Sequence, residues 1–231
     1  MKQIIENIGQ KDCLIYTDEL PQVLLIQPLG KHESEHFEEE LEFIQKTTEI
    51  PFAMCAFIID DWETELTPWY EPMISRRKDV TPQGNETLLF LTDVLLPLLN
   101  QRFGNLPVIL GGYSLAGLFS LWAGYERNSF DAIAGVSPSV WITNWKEYML
   151  SHPIQAKLVY LSLGDREELS RNQKFAQVGE IIRIEHKQLS SQLDSEQCIL
   201  EWNPGNHFMD NEQRTARGFA WCMERISKNG R

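Results

Sequence analysis

The sequence predicts an α/β fold, a mostly parallel central sheet with helices on both faces. Apolar runs of strand length alternate with longer segments of helical period, as parallel strands joined by crossover helices require. Runs such as Ala53 to Ile59 are apolar at every position, which marks strands buried on both faces. A third run, Pro107 to Leu110, passes through Gly111-Gly112-Tyr113-Ser114-Leu115-Ala116-Gly117 directly into a helical segment, the strand, sharp turn, helix order of such sheets.

In chain order, Val23 to Gln27 reads as a strand and Ser34 to Gln45 as an acidic helix. The strand Ala53 to Ile59 ends at Asp60-Asp61-Trp62, and an irregular aromatic stretch through Pro68, Trp69 and Tyr70 follows. Asn85 caps a helix running to about Arg102, with Leu88, Leu91, Leu95 and Leu99 on its apolar side and Pro97 expected to kink or break it. After the glycine-rich turn comes a helix from Leu118 to Tyr125, then strands at Ala132 to Gly135, Lys157 to Leu163 and Cys198 to Trp202. A last helix is expected from about Asn211 to Ile226.

The 231 residues are 42% hydrophobic and 23% charged, enough to bury a sizeable core, and no linker or internal repeat divides them. One domain spanning residues 1–231 is therefore expected. The 21 basic residues against 33 acidic ones leave a net charge of −12, a field that repels phosphate backbones and anionic membrane surfaces. The one dense basic cluster, Arg76-Arg77-Lys78, is too short to overturn it and reads as a solvated loop. The first ten residues lack a secretory apolar stretch, and no run approaches the ~20 apolar residues of a membrane span, so a cytoplasmic location is expected. Cys13, Cys55, Cys198 and Cys222 are widely spaced with no C-x-x-C pair, which favours reduced thiols.

Gly112-Tyr113-Ser114-Leu115-Ala116 approximates the G-x-S-x-G turn that lifts a serine off a strand end, with Ala116 in the last position. Neighbours without bulk are needed there because helix and strand backbones pass close. The helix that follows would aim the Leu115 amide at an oxyanion. A plain glycine-rich turn is the bland reading, and chain order argues against it: Ser114 is followed by an acid after a later strand and then by a histidine in a loop before the last helix. His207, in Pro204-Gly205-Asn206-His207-Phe208, is the candidate general base, whereas His152 and His186 have no comparable context. Gly164-Asp165-Arg166-Glu167-Glu168 offers three carboxylates for the acid that orients the imidazole. Glu167 is favoured, and Asp165 and Glu168 stay open.

Together these segments resemble the putative esterase family of the α/β-hydrolase superfamily, which includes enterochelin-type siderophore esterases and feruloyl esterases. The likeness spans most of the chain and rests on Gly112 to Phe119, on Val136-Ser137-Pro138-Ser139-Val140-Trp141, on Gly164-Asp165-Arg166-Glu167 and on Gly205-Asn206-His207-Phe208. It implies an α/β-hydrolase fold and puts Glu167 at the acid position; Ala116 in place of the last glycine of the turn is a departure. By the superfamily's topology the second oxyanion donor is the amide of Leu29 or Gly30, in a loop Pro28-Leu29-Gly30 after the strand Val23 to Gln27. Trp62, Trp69, Tyr113 and Trp141 come from segments expected at the C-terminal edge of the sheet and are candidate substrate-binding walls.

His32-Glu33-Ser34-Glu35-His36 matches H-E-x-x-H, where two histidines one helical turn apart bind zinc. A chance match occurs on the order of once per hundred such chains, no third ligand is evident, and the motif reads as a solvated helix start with no metal or cofactor required. The expected function is a serine esterase acting through an acyl-enzyme on small or medium soluble carboxylic esters. Its site is open, because the span from Trp141 to Lys157 is too short for a large lid. The alternative is a non-catalytic α/β-hydrolase-like binding protein.

Overall fold

The computed structural model describes residues 1–75, 77 and 80–229. Its centre is an eight-stranded sheet formed by β1 (Lys2–Ile8), β2 (Lys11–Thr17), β3 (Val23–Gly30), β4 (Phe52–Ile59), β5 (Val108–Tyr113), β6 (Ala132–Val136), β7 (Leu158–Gly164) and β8 (Cys198–Asn203). The spatial order is β1-β2-β4-β3-β5-β6-β7-β8, and only β2 runs against its neighbours. The mostly parallel α/β fold expected from the sequence is the fold found.

Successive residues of a strand face opposite sides, so a strand covered on both faces must be apolar throughout. In β3, Leu24 and Ile26 join one hydrophobic cluster while Val23, Leu25 and Leu29 join the other. The second cluster is closed by α1 (Phe37–Thr47) and α9 (Asn211–Asn229), through residues such as Phe37, Ile44 and Phe219. The first is closed by α3 (Gly84–Phe90), α4 (Leu96–Phe103), α5 (Leu115–Glu126) and α8 (Val178–Gln192); the short α2 (Trp62–Glu65), α6 (Trp145–Ser151) and α7 (Gln173–Ala176) complete the helices among the described residues.

Two expectations need correcting, and two elements carried no expectation. The hairpin β1–β2 carried none, because its outer strand, KQIIENI, breaks up its isoleucines with charged and amide residues; its turn puts Gly9 and Gln10 both at positive φ, 54° and 74°, as a two-residue hairpin of matching twist demands. Pro28, Leu29 and Gly30 are not a loop: they continue β3 in register with Phe57, Ile58 and Ile59. The helix beginning at Gly84 is not broken at Pro97. Residues Leu91–Leu95 widen into a π turn, and the proline enters at the start of the α-helical segment that follows, where its missing N–H costs least. Leu88, Leu91, Leu95 and Leu99 are all fully buried along this helix as its periodicity predicts, so truncating any one to Ala would cost about 2–5 kcal/mol. Finally, α8 was missed, although Val178, Ile181, Ile182 and Leu189 carry its buried face at helical spacing.

The acidic helix starts late, at Phe37, with a 3₁₀ turn at Glu33–Glu35 before it. All four cysteines are buried as free thiols. Arg76 and Lys78 of the basic cluster lie outside the described residues, and Arg77 pairs with Asp61 at 2.6 Å. Among the described residues no helix is long and apolar enough to cross a membrane.

Candidate active site

Ser114 sits between β5 and α5 with φ 58° and ψ −116°, a backbone state an L-residue holds only when its surroundings enforce it. Enforcement comes from close packing. A Cβ on Gly112 would lie 2.5 Å from that of Ala116, and one on Gly117 would lie 2.8 Å from the Gly112 carbonyl oxygen. Ala116 fits the last place of the motif because Gly112 has no methyl to oppose it. The Ser114 amide donates to Val136 O, and its carbonyl accepts from the amides of Leu118 and Ser139. Leu115 opens α5, so its amide has no carbonyl one turn earlier to meet.

Three segments converge on this serine. His207 Nε2 lies 3.0 Å from Ser114 Oγ, and His207 Nδ1 lies 2.8 Å from Glu167 Oε2. With Nδ1 carrying the proton toward the carboxylate, Nε2 is left as an acceptor facing the hydroxyl. Glu167 Oε1 accepts from the Gly164 amide and the Ser137 hydroxyl, each at 2.8 Å, and lies 3.5 Å from Nη1 of the fully buried Arg214. Burial pushes the Glu167 carboxyl up, but His207, the Gly164 amide and Ser137 more than offset it, so it sits below the ordinary range.

The other two carboxylates are engaged elsewhere. Asp165 Oδ1 accepts from the Gly205 amide at 2.9 Å, which ties the loop after β7 to the loop that carries His207, and Glu168 forms a two-pronged pair with Arg183. The tie is doubled by the Arg166 amide donating to Gly205 O at 3.0 Å.

A cavity of about 460 Å³ opens beside Ser114 and His207, with Pro138, Trp141, Phe175, Val178 and Phe208 as apolar walls. Of the aromatics singled out from the sequence, only Trp141 lines it. Tyr113 turns away: its hydroxyl donates to the His207 carbonyl at 2.9 Å and receives Nη1 of Arg214 at 3.1 Å. Trp69 donates to the Thr143 carbonyl and packs against Trp145 and Tyr148, beneath the loop rather than in the cavity. Trp62 and Leu29 line a separate, smaller cavity of about 50 Å³ between β3, α1 and α9. The Gly30 amide is already occupied, donating to Glu33 Oε2 at 2.9 Å.

His32 and His36 flank the 3₁₀ turn rather than share one face of an α-helix, and His36 faces Glu39 at 3.6 Å on the surface. Among the described residues no group of three or more His, Cys, Asp or Glu is arranged to hold a metal ion.

Sequence reasoning missed the residues that hold the site from behind. Ser137, at φ 41°, buttresses Glu167; Ser139 brings its hydroxyl to 3.4 Å from Ser114 Oγ; Arg214 spans Tyr113, Glu167 and the carbonyls of Pro204 and Asn206. The Ser-Pro-Ser-x-Trp segment stands out in the sequence and carried the signal for the two serines. An arginine near the start of an amphipathic helix carries none.

The chain resembles proteins of known structure over nearly its whole length. An IroE-like serine hydrolase from Shewanella oneidensis superposes with a TM-score of 0.75 at 14% identity, covering 99% of this chain and 81% of that one. Siderophore hydrolase EstA from Aspergillus nidulans gives 0.66 at 17% identity over 99% of this chain and 93% of that one. The enterobactin esterase FES from Shigella flexneri gives 0.66 at 15% identity, but this chain spans only 59% of its length. No curated protein matches the sequence significantly. Residues 30–197 match the family model described as "Putative esterase", and with more than half of its length so matched the chain belongs to that family, on a fold of the α/β-hydrolase type.

Proposed function

We propose that this protein is a serine esterase that hydrolyses small or medium soluble carboxylic esters through an acyl-enzyme. The observation that carries the reading is the unbroken chain of contacts Ser114 Oγ, His207, Glu167, at 3.0 and 2.8 Å, opening onto an apolar cavity. In this mechanism His207 Nε2 takes the hydroxyl proton as Ser114 Oγ attacks the ester carbonyl carbon. Glu167 stabilises the imidazolium and keeps its own proton off. The tetrahedral oxyanion is met by the Leu115 amide at the N-terminus of α5 and by a second amide, from Leu29 or Gly30 at the end of β3. Gly30 serves only if Glu33 releases its amide. The tetrahedral intermediate then collapses: the C–O bond to the alcohol breaks as the imidazolium protonates the departing alkoxide, leaving the acyl–serine, which water activated by His207 hydrolyses to release the acid and restore the serine.

Trp141, Phe175 and Phe208 supply an apolar seat for the acyl or alcohol group. The test is intact-mass detection of a fluorophosphonate adduct on wild type and on Ser114→Ala, with a short-chain para-nitrophenyl ester assay. Labelling and turnover in the wild type, with the adduct absent and kcat/KM lower by about 10³-fold or more in the variant, is the expected result. A wild type that neither labels nor turns over would leave a binding protein on the same fold.

A further inference from the structure

Among the described residues lining the Ser114 cavity, Arg166 is the charged side chain without an ion-pair partner. An exposed arginine is ordinarily just solvated, but this one borders the cavity that Ser114 and His207 open onto, and among the described residues lining that cavity it is the only lysine or arginine. Lys174 pairs with Glu71 at 2.6 Å, Arg183 with Glu168 at 2.7 Å, and Arg214 is buried beside Glu167 at 3.5 Å. The carboxylates nearest to Arg166 in the chain are spent in the same way, Glu167 on His207, Gly164 and Ser137, Glu168 on Arg183, and Asp165 on the Gly205 amide. Among the described residues Arg166 has no ion-pair partner.

Its backbone is also fixed relative to the reacting groups. The Arg166 amide donates to Gly205 O, two residues before His207, and the next residue in the chain is Glu167. The guanidinium is thus tethered at the rim, within one side-chain length of its anchor. The same cavity is lined by Trp141 against Phe175, ring centres 4.5 Å apart, and by Phe208, which is 85% exposed. An apolar slot with a guanidinium at its edge suits a molecule that is apolar along its body and anionic at one end. A planar fork of donors matches a carboxylate, and the apolar walls thin the water that would screen the pair. A chain of net charge −12 sets a background that disfavours anions, so an anionic substrate depends on a local cation at the site.

We propose that Arg166 is a specificity-determining residue that binds a carboxylate carried by the ester substrate, so that the preferred substrates are anionic esters with an apolar body. The proposal rests on the serine-esterase reading. Specificity is read from kcat/KM on two matched pairs, for wild type, Arg166→Gln and Arg166→Lys. One pair puts the anion on the acyl side, para-nitrophenyl hexanoate against the para-nitrophenyl half-ester of adipic acid. The other puts it on the leaving side, para-carbamoylmethylphenyl butyrate against para-carboxymethylphenyl butyrate.

Wild type is expected to favour the charged member of one pair. Arg166→Gln lowers that charged-to-neutral ratio about tenfold, and Arg166→Lys keeps part of it. Ratios unchanged by Arg166→Gln in both pairs overturn the proposal. Calorimetric titration with phenylbutyrate supplies a readout that needs no turnover. Arg166-dependent binding without turnover keeps the anion subsite and removes the esterase reading; turnover with unchanged ratios does the reverse; neither turnover nor binding overturns both.

Discussion

Glu167 and Glu185 are both carboxylates withdrawn from water, one behind His207 and the other on the buried face of α8, and their surroundings drive them in opposite directions. Glu185 is fully buried and accepts from Trp145 Nε1 at 3.0 Å and from the Tyr125 hydroxyl at 3.4 Å. Those neutral donors do not offset its desolvation, and burial pushes it up to about 7. Glu167 faces the same penalty, yet an imidazole, a backbone amide and a hydroxyl hold it below the ordinary range. Depth therefore says little about whether a buried acid is charged. The number and kind of donors decide, and only the acid facing His207 is equipped to steady a developing imidazolium.

The sharpest way to break this contrast is Glu167→Gln, which keeps the shape and removes the charge. It should lower kcat by about 10³- to 10⁴-fold, measured with a para-nitrophenyl ester. A loss under tenfold would mean that Glu167 does not govern His207. Arg214→Met comes next: it strips a buried cation from Glu167, Tyr113 and two carbonyls, and urea denaturation should report a stability loss of about 3–5 kcal/mol. Tyr113→Phe removes only the hydroxyl that holds the His207 carbonyl. We expect kcat to fall about tenfold or less with KM little changed, and an equal rise in KM would instead assign the ring to substrate binding.

The smallest effect is on stability as a function of pH, and its sign differs between the two acids. Glu185 has a raised folded pKa, so its favourable contribution is complete below the ordinary carboxylate range and is lost as pH rises toward and through about 7. Glu167 has a lowered one, so its contribution is present above that range and is lost as pH falls through the depressed value. Melting curves from about pH 2 to 8 should show Glu185→Gln losing less stability than wild type as pH rises. Glu167→Gln should lose less than wild type at the acid end. Parallel curves for all three proteins would remove the contrast.

The parts of the fold that announced themselves were those where one residue type has one physical use. Continuous apolar runs marked β4 and β7, glycines marked the turn at Ser114, and a loop histidine after the last strand marked His207. The choice among Asp165, Glu167 and Glu168 was not legible from composition, because all three are carboxylates within four residues and only the third dimension shows which one His207 meets. Aromatic residues misled for a similar reason. Trp62, Trp69 and Tyr113 leave the expected strand ends, but large rings fill space beneath loops as readily as they line cavities. The β1–β2 hairpin was hidden because an edge strand exposed on one side needs charges, and charges read as loop.

The double tie between the loops after β7 and β8, Asp165 to the Gly205 amide and the Arg166 amide to Gly205 O, joins two segments some forty residues apart in the chain into one cooperative unit. Segments tied in this way are expected to open together. In native-state hydrogen exchange the amides of Gly164, Arg166 and Gly205 should become protected and lose protection together, with a common opening free energy. The backbone that carries His207 would then move only with the loop after β7, so a change in one loop would be felt in the other.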